Sequence, residues 1–260
     1  MPLLLTIDVG NTNTVLGVHD GEDLKAHWRL TTRREQTADE YGILVRSLFA
    51  ASNIDVAQIV GIALASVVPP LTSVVVTLCR TYLGHEPLVI EPGVKTGMPI
   101  HYEPPSDVGA DRIVNGVAAF AAYGGPVIVV DFGTATTFDV VTKKGEYIGG
   151  VICPGVGISA DALFQRAARL PRVDLRSPGK VIGRSTVGSI QSGLYFGYAS
   201  MVEGIIKRIR AELGEPARAV ATGGLAESLA ADVPSIEAVD PVLTLTGLRL
   251  IWGRNRAAAR

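Results

Sequence analysis

Two short stretches of the chain set a carboxylate, a glycine and a row of hydroxyl or amide side chains at the break of an apolar run. In Leu5-Thr-Ile-Asp8-Val9-Gly10-Asn11-Thr12-Asn13-Thr14-Val15 the break falls at Asp8. In Val127-Ile-Val-Val-Asp131-Phe-Gly133-Thr134-Ala-Thr-Thr137-Phe-Asp-Val-Val141 it falls at Asp131. The apolar runs suit buried strands, the glycine lets backbone approach a ligand closely, and the hydroxyls and adjacent N–H groups are donors. Phosphate oxygens need such donors at short range, and a nearby Asp can hold a cation that offsets their charge. Phosphate binding is therefore the chemistry these turns predict. A plain tight hairpin explains any single one of them. Two matched turns, with Gly149-Gly-Val-Ile-Cys-Pro-Gly155 and Ala221-Thr-Gly223-Gly224 at later strand ends, favour the phosphate reading. No Gly-x-x-x-x-Gly-Lys-Ser/Thr sequence is present, which excludes a P-loop ATPase.

A third stretch, Gly109-Ala110-Asp111-Arg112, opens a helix predicted over about residues 110–123. An acid in a first turn faces the helix dipole whatever else it does. Beside an arginine it can also accept the proton of a substrate hydroxyl while the arginine anchors a substrate anion. The low pKa expected of Asp111 here is no obstacle, because a loose phosphoryl-transfer transition state needs the base mainly for orientation and late proton acceptance. Tyr102, on the loop entering this helix, is a candidate wall of a substrate pocket, although a lone aromatic serves packing equally well. His19, His27, His85 and His101 are scattered and read as surface or loop residues. Cys79 and Cys153 lack metal-ligand spacing and read as separate reduced thiols packed as small apolar side chains.

The elements that must position these residues repeat. Asp131 follows Asp8 by 123 residues (131 minus 8), close to half of the 260-residue chain, which points to a duplicated domain with its two Asp turns facing one cleft. In the first half a three-strand meander turns at Asp20-Gly21. A helix follows from the capping box Thr37-Ala-Asp-Glu40 to about Ser52. Then come a strand over 59–68, a helix entered through Pro69-Pro70 and closed near Gly84, and a short strand over 87–90. The second half repeats the meander over 127–153 and continues with a helix over about 159–170 and a polar stretch over 172–184. An added long helix spans about 186–213, with Gly214 past its end, and a strand, short helix, strand and closing helix complete the half. The fold class is α/β: two ribonuclease-H-like domains, 1–115 and 116–260, each a mixed five-stranded sheet flanked by helices, the second carrying the inserted long helix. The tail 253–260 reads as a frayed helix end.

With 47% hydrophobic and 19% charged residues the chain can bury a large core. A net charge of -1 gives no electrostatic reason to bind nucleic acid or an anionic membrane, so a small-molecule partner is favoured. The start Met1-Pro-Leu-Leu-Leu-Thr-Ile lacks the basic region of a signal peptide, and no apolar run approaches the roughly 18 residues of a spanning helix, which places the protein in the cytoplasm.

Taken together and in order, Asp8-Val-Gly-Asn-Thr12-Asn, Gly109-Ala-Asp-Arg112, Asp131-Phe-Gly-Thr-Ala-Thr-Thr137, Gly149-Gly-Val-Ile-Cys-Pro-Gly155 and Ser185-Thr186-x-x-Ser-Ile-Gln-Ser-Gly193 resemble the type III pantothenate kinases over nearly the whole chain. The resemblance implies the acetate-and-sugar-kinase/actin-like ATPase fold and ATP-dependent phosphorylation of pantothenate to 4'-phosphopantothenate, the first step of coenzyme A synthesis. It assigns ATP to Asp8, Val9, Gly10, Asn11, Thr12, Asn13, Thr14, Val15 and Thr134. Pantothenate falls to Tyr102, Gly109, Ala110, Asp111, Arg112 and Thr186, with Asp111 as general base. A monovalent cation, K+ or NH4+, is implied at Asp131, Mg2+ with ATP near Asp8, and a homodimer with its active site near the subunit interface. Relatives resembling Bvg accessory factors regulate gene expression on the same fold. The near-neutral charge and the intact Asp111-Arg112 pair favour a kinase over a regulator. A generic sugar kinase or a chaperone-type ATPase is a further alternative, the latter disfavoured because no length remains for a peptide-binding domain.

Overall fold

The computed structural model describes residues 2–257, so the last residues of the tail, 258–260, lie outside the described residues. The chain divides into two compact units. One comprises the residues up to Met98, Tyr102–Ala118 and the segment from Leu243 onward; the other comprises Pro99–His101 and Ala119–Val242.

In the first unit β1 (Leu3–Val9), β2 (Asn13–Asp20) and β3 (Asp23–Thr31) form an antiparallel meander, and β4 (Ile59–Ser66) and β5 (Leu88–Val89) extend it in parallel on the β1 side, in the order β3-β2-β1-β4-β5. Gly21, at φ +60°, makes the β2–β3 turn. Between β3 and β4, α1 (Ala38–Ala51) starts where the sequence places it. Thr37 accepts the Glu40 N–H, and the Glu40 carboxylate accepts the Thr37 N–H at 2.8 Å. Between β4 and β5, α2 (Pro69–Leu83) begins on two prolines and stops at the left-handed Gly84. Both helices cover one face of the sheet, where Tyr41, Val45, Phe49, Leu71, Val75 and Leu78 pack on Leu5, Ile7 and Val9. Cys79 is buried among them, and burial pushes its thiol up to about 12, so it behaves as an apolar side chain.

The second unit repeats this plan. Strands β6 (Val127–Phe132), β7 (Ala135–Val141) and β8 (Tyr147–Pro154) form the meander, and β9 (Arg218–Gly223) and β10 (Ile236–Val239) extend it in parallel, in the order β10-β9-β6-β7-β8. Between β8 and β9 lie α4 (Val156–Arg166) and the 28-residue α5 (Thr186–Leu213), the added helix; α6 (Ala226–Ala230) joins β9 to β10. Val202 and Ile206 of α5 share a buried cluster with Ile128, Val130 and Phe138. The helix α4 begins three residues earlier than the periodicity suggests. The Tyr198 hydroxyl of α5 donates to the Pro154 carbonyl at 2.9 Å, and the Gly155 N–H donates to the Thr134 carbonyl at 3.0 Å, so the chain is fixed on leaving β8 and turns helical at once.

Two further helices bear on the first unit. The part of α3 (Ala110–Tyr123) through Ala118, about two and a half turns, belongs to the first unit, as does α7 (Leu243–Ala257). Trp252 of α7 lies where a side chain on Gly61 of β4 would stand, and the Thr244 hydroxyl donates to Asn115 Oδ1 of α3 at 2.7 Å. The same packing corrects the reading of His19 as a surface residue. It is 2% exposed in β2, with Nε2 3.1 Å from Thr6 Oγ1, and burial, followed by the Arg249 guanidinium, pulls its pKa down to about 4. Because α7 returns from the far end of the chain to cover this strand, nothing local to His19 signals its burial.

Candidate active site

In the first unit the turn after β1 is a closed structure. Asp8 pairs with Val15 and Val9 with Thr14 across the β1–β2 ladder, and the Gly10 N–H donates to the Asn13 carbonyl at 3.0 Å. Thr32, just past β3, backs the turn. Its N–H donates to the Thr12 carbonyl at 2.9 Å and its hydroxyl to the Gly10 carbonyl at 2.8 Å. The Arg34 guanidinium donates to Asn11 Oδ1 at 3.2 Å. Asn11 and Thr12 are exposed, as a ligand-facing turn requires, whereas Thr14 is buried.

The same unit carries the Gly109-Ala-Asp-Arg stretch at the start of α3. Asp111 folds back over its own helix start, with Oδ1 accepting the Arg112 N–H at 2.8 Å. A methyl group on Gly109 would stand 2.5 Å from that oxygen, so only glycine admits this pose. Burial raises the Asp111 pKa above the ordinary carboxylate value, against the opposing pull of the Arg112 N–H and guanidinium. The low pKa expected from the helix dipole and the neighbouring arginine is thus overturned, because desolvation of a carboxylate here outweighs both. Arg112 itself is buried, at 7% exposure. Val67, which the sequence does not single out, links the two features. Its N–H donates to the Val9 carbonyl at 3.0 Å, and its Cγ1 lies 3.5 Å from the Cβ position of Gly109. The strand end at β4 thereby ties the Asp8–Val15 turn to the start of α3. Tyr102 is half-buried on the loop before α3.

In the second unit the matching turn is one residue tighter. Asp131 pairs with Thr137 and Phe132 with Thr136, and the Gly133 N–H donates to the Ala135 carbonyl at 3.0 Å. Both aspartates are strand residues rather than turn residues, each second from the end of its strand. Gly223 closes β9 at φ +93°, and a side chain there would meet Asp131 Oδ1 at 2.5 Å, so the Ala221-Thr-Gly223-Gly224 stretch serves to seat the Asp131 carboxylate. Thr186 is the exposed first residue of α5, behind a Ser185 cap whose hydroxyl accepts the Gly188 N–H at 3.1 Å. Of the residues singled out from the sequence, the first unit thus carries the Asp8–Val15 turn, Tyr102 and Gly109–Arg112. The second carries Asp131, Thr134 and Thr186.

Among the described residues no three His, Cys, Asp or Glu side chains are grouped to hold a metal ion, and no helix is long and apolar enough to cross a membrane.

Two sheets of the same mixed five-stranded topology, each with an Asp second from the end of its first strand, place the chain in the actin-like ATPase and sugar-kinase fold class. Solved structures share that fold. A Baf family transcriptional activator from Campylobacter jejuni matches with a TM-score of 0.61 at 20% identity, over 97% of this chain and 99% of its own. An inorganic polyphosphate/ATP-glucomannokinase from an Arthrobacter strain matches with a TM-score of 0.51 at 13% identity, over 99% and 100%. The chain belongs to the type III pantothenate kinase family, whose model matches residues 4–208. Type III pantothenate kinases from Koribacter versatilis and Moorella thermoacetica are each 57% identical to it, over 99% of this chain and 98% of the relative, and 97% and 100%, respectively.

Proposed function

We infer that the protein is a kinase that transfers the γ-phosphoryl group of ATP to the 4'-hydroxyl of pantothenate, opening coenzyme A synthesis. The observation that carries this reading is the Asp111 carboxylate held over Gly109 beside Arg112, one residue's reach, through Val67, from the turn at Asp8–Val15. The roles follow from the chemistry of each group. Exposed N–H and polar groups of the Asp8–Val15 turn receive the ATP phosphates, and the family resemblance adds Thr134 to the nucleotide's partners. Asp111, its pKa raised by burial, accepts the hydroxyl proton as the new P–O bond forms. Arg112 pairs with the pantothenate carboxylate, with Tyr102, Gly109 and Ala110 around it, and the family resemblance adds Thr186 to the acceptor's partners.

The residues fit the implied cations. Asp8 offers a carboxylate for Mg2+ accompanying ATP. Asp131 Oδ1, set against Gly223 and near the backbone of the Gly133–Ala135 turn, offers hard oxygen donors of the kind K+ takes. Bound there, such ions neutralise phosphate charge. Coupled release of ADP with pantothenate, but not with glucose, acetate or no acceptor, tests the acceptor class; turnover with a sugar in place of pantothenate would overturn it. In the same assay, replacing Na+ with K+ at fixed ionic strength should raise the rate severalfold in the wild type and not in Asp131→Asn. Equal rates in the two salts would leave Asp131 as a purely structural strand end.

A homodimer is supported by apolar side chains left open on the second unit: Ile152 of β8, Phe164 of α4, and Val181 and Ile182 before α5, the last 84% exposed. Light scattering should give twice the chain mass of 27.3 kDa. A single-chain mass at micromolar concentration would contradict it.

A further inference from the structure

The turn at Asp8–Val15 is held from behind by a directed pair of hydroxyls. The Gly10 carbonyl can only accept, so the Thr32 hydroxyl spends its one hydrogen there, at 2.8 Å. Thr14 Oγ1 lies 2.9 Å from Thr32 Oγ1 and must therefore be the donor of that bond. With the Thr32 N–H on the Thr12 carbonyl at 2.9 Å, one residue fixes two alternate carbonyls of the turn. In a trans peptide plane the C=O of one residue and the N–H of the next point in opposite directions. Holding the Gly10 and Thr12 carbonyls toward Thr32 therefore aims the Asn11 and Asn13 N–H groups the other way, off the Thr32 side of the turn.

We propose that Thr14 and Thr32 form a hydroxyl latch that orients the phosphate-binding amides, so that Thr32 is a positioning residue for ATP and Thr14 serves ATP through Thr32 rather than by touching it. Thr14, at 2% exposure, has its hydroxyl turned into the protein, which separates it from the exposed Asn11 and Thr12 of the same turn. No local pattern marks Thr32; it stands 22 residues after Gly10 and arrives through the β2–β3 hairpin. The proposal rests on the assignment of ATP to this turn.

The test is steady-state kinetics on Thr32→Val, Thr14→Val, the double variant and Thr32→Ser. Loss of the latch should raise the KM for ATP about fivefold, the scale of one neutral hydrogen bond, and leave the KM for pantothenate within twofold. The double variant should be no worse than Thr32→Val alone, because each single change breaks the same chain of bonds. Thr32→Ser, which keeps the hydroxyl, should restore the ATP constant. A variant with lowered Tm but unchanged ATP constant, or with both substrate constants raised alike, would reduce Thr32 to a structural residue and overturn the latch. Asp8→Asn separates the two levels of the argument. If it raises the ATP constant while Thr32→Val does not, the latch alone fails; if it too leaves ATP untouched, ATP binds elsewhere and both fail.

Discussion

Asp111→Asn should lower kcat by about 10²-fold or more, the scale of a positioned general base, while the protein stays folded. The amide keeps the shape of the carboxylate and its Oδ1 can still accept the Arg112 N–H, so the helix start should survive. What disappears is the proton acceptor. The pH dependence adds a second readout. Because burial raises the Asp111 pKa, the acid limb of the wild-type kcat/KM profile should lie above the ordinary carboxylate range, with activity falling as the group is protonated on acidification. That limb should be missing from the residual activity of the variant. The sign for stability is opposite. A carboxyl whose folded pKa is raised favours the folded state fully only below its unfolded pKa, and that contribution is lost as pH rises through the folded value. At neutral pH the wild type therefore carries the cost of a desolvated charge, and Asp111→Asn should match or exceed its Tm. Near wild-type turnover in the folded variant would remove Asp111 from the chemistry.

The sequence and the structure agree most closely where the signal is local. The Thr37–Glu40 capping box, the two prolines entering α2, the glycines at 84 and 214 and the alternation of apolar and polar residues act within a few residues, and each element forms where these place it. The duplication is legible for a related reason. Two Asp turns 123 residues apart each need a strand before and after, which commits much of both sheets. Features that depend on distant chain segments are not legible. The burial of His19 awaits α7, the seat of Asp131 awaits Gly223, and the raised pKa of Asp111 awaits the packing around the start of α3. The duplication is also imperfect in an instructive way. Asp8 meets Val15 but Asp131 meets Thr137, a turn one residue shorter, so the two halves do not offer the same set of donors. The longer turn has room for the Asn11 and Thr12 side chains at the surface; the tighter one puts Thr134 next to the Gly155 amide.

Arg112→Lys should raise the KM for pantothenate at least tenfold while that for ATP changes little. The guanidinium is planar and presents paired N–H groups that match both oxygens of a carboxylate; the lysine ammonium keeps the charge but offers a single point. At 7% exposure Arg112 works in a setting where water cannot supply the missing bond, so the loss should be that of a charged hydrogen bond, about 1.5 to 3 kcal/mol. A tenfold change corresponds to about 1.4 kcal/mol, the lower edge of that range. The substitution also touches Asp111, since the guanidinium opposes the upward push of burial on that carboxyl. If the lysine charge sits farther away, the acid limb of the pH profile should move to higher pH, giving a second effect on the same variant without removing the base. The contrast between substrates decides the assignment. An Arg112→Lys enzyme with a raised ATP constant and an unchanged pantothenate constant would put the arginine on the nucleotide side and move the acceptor carboxylate away from α3.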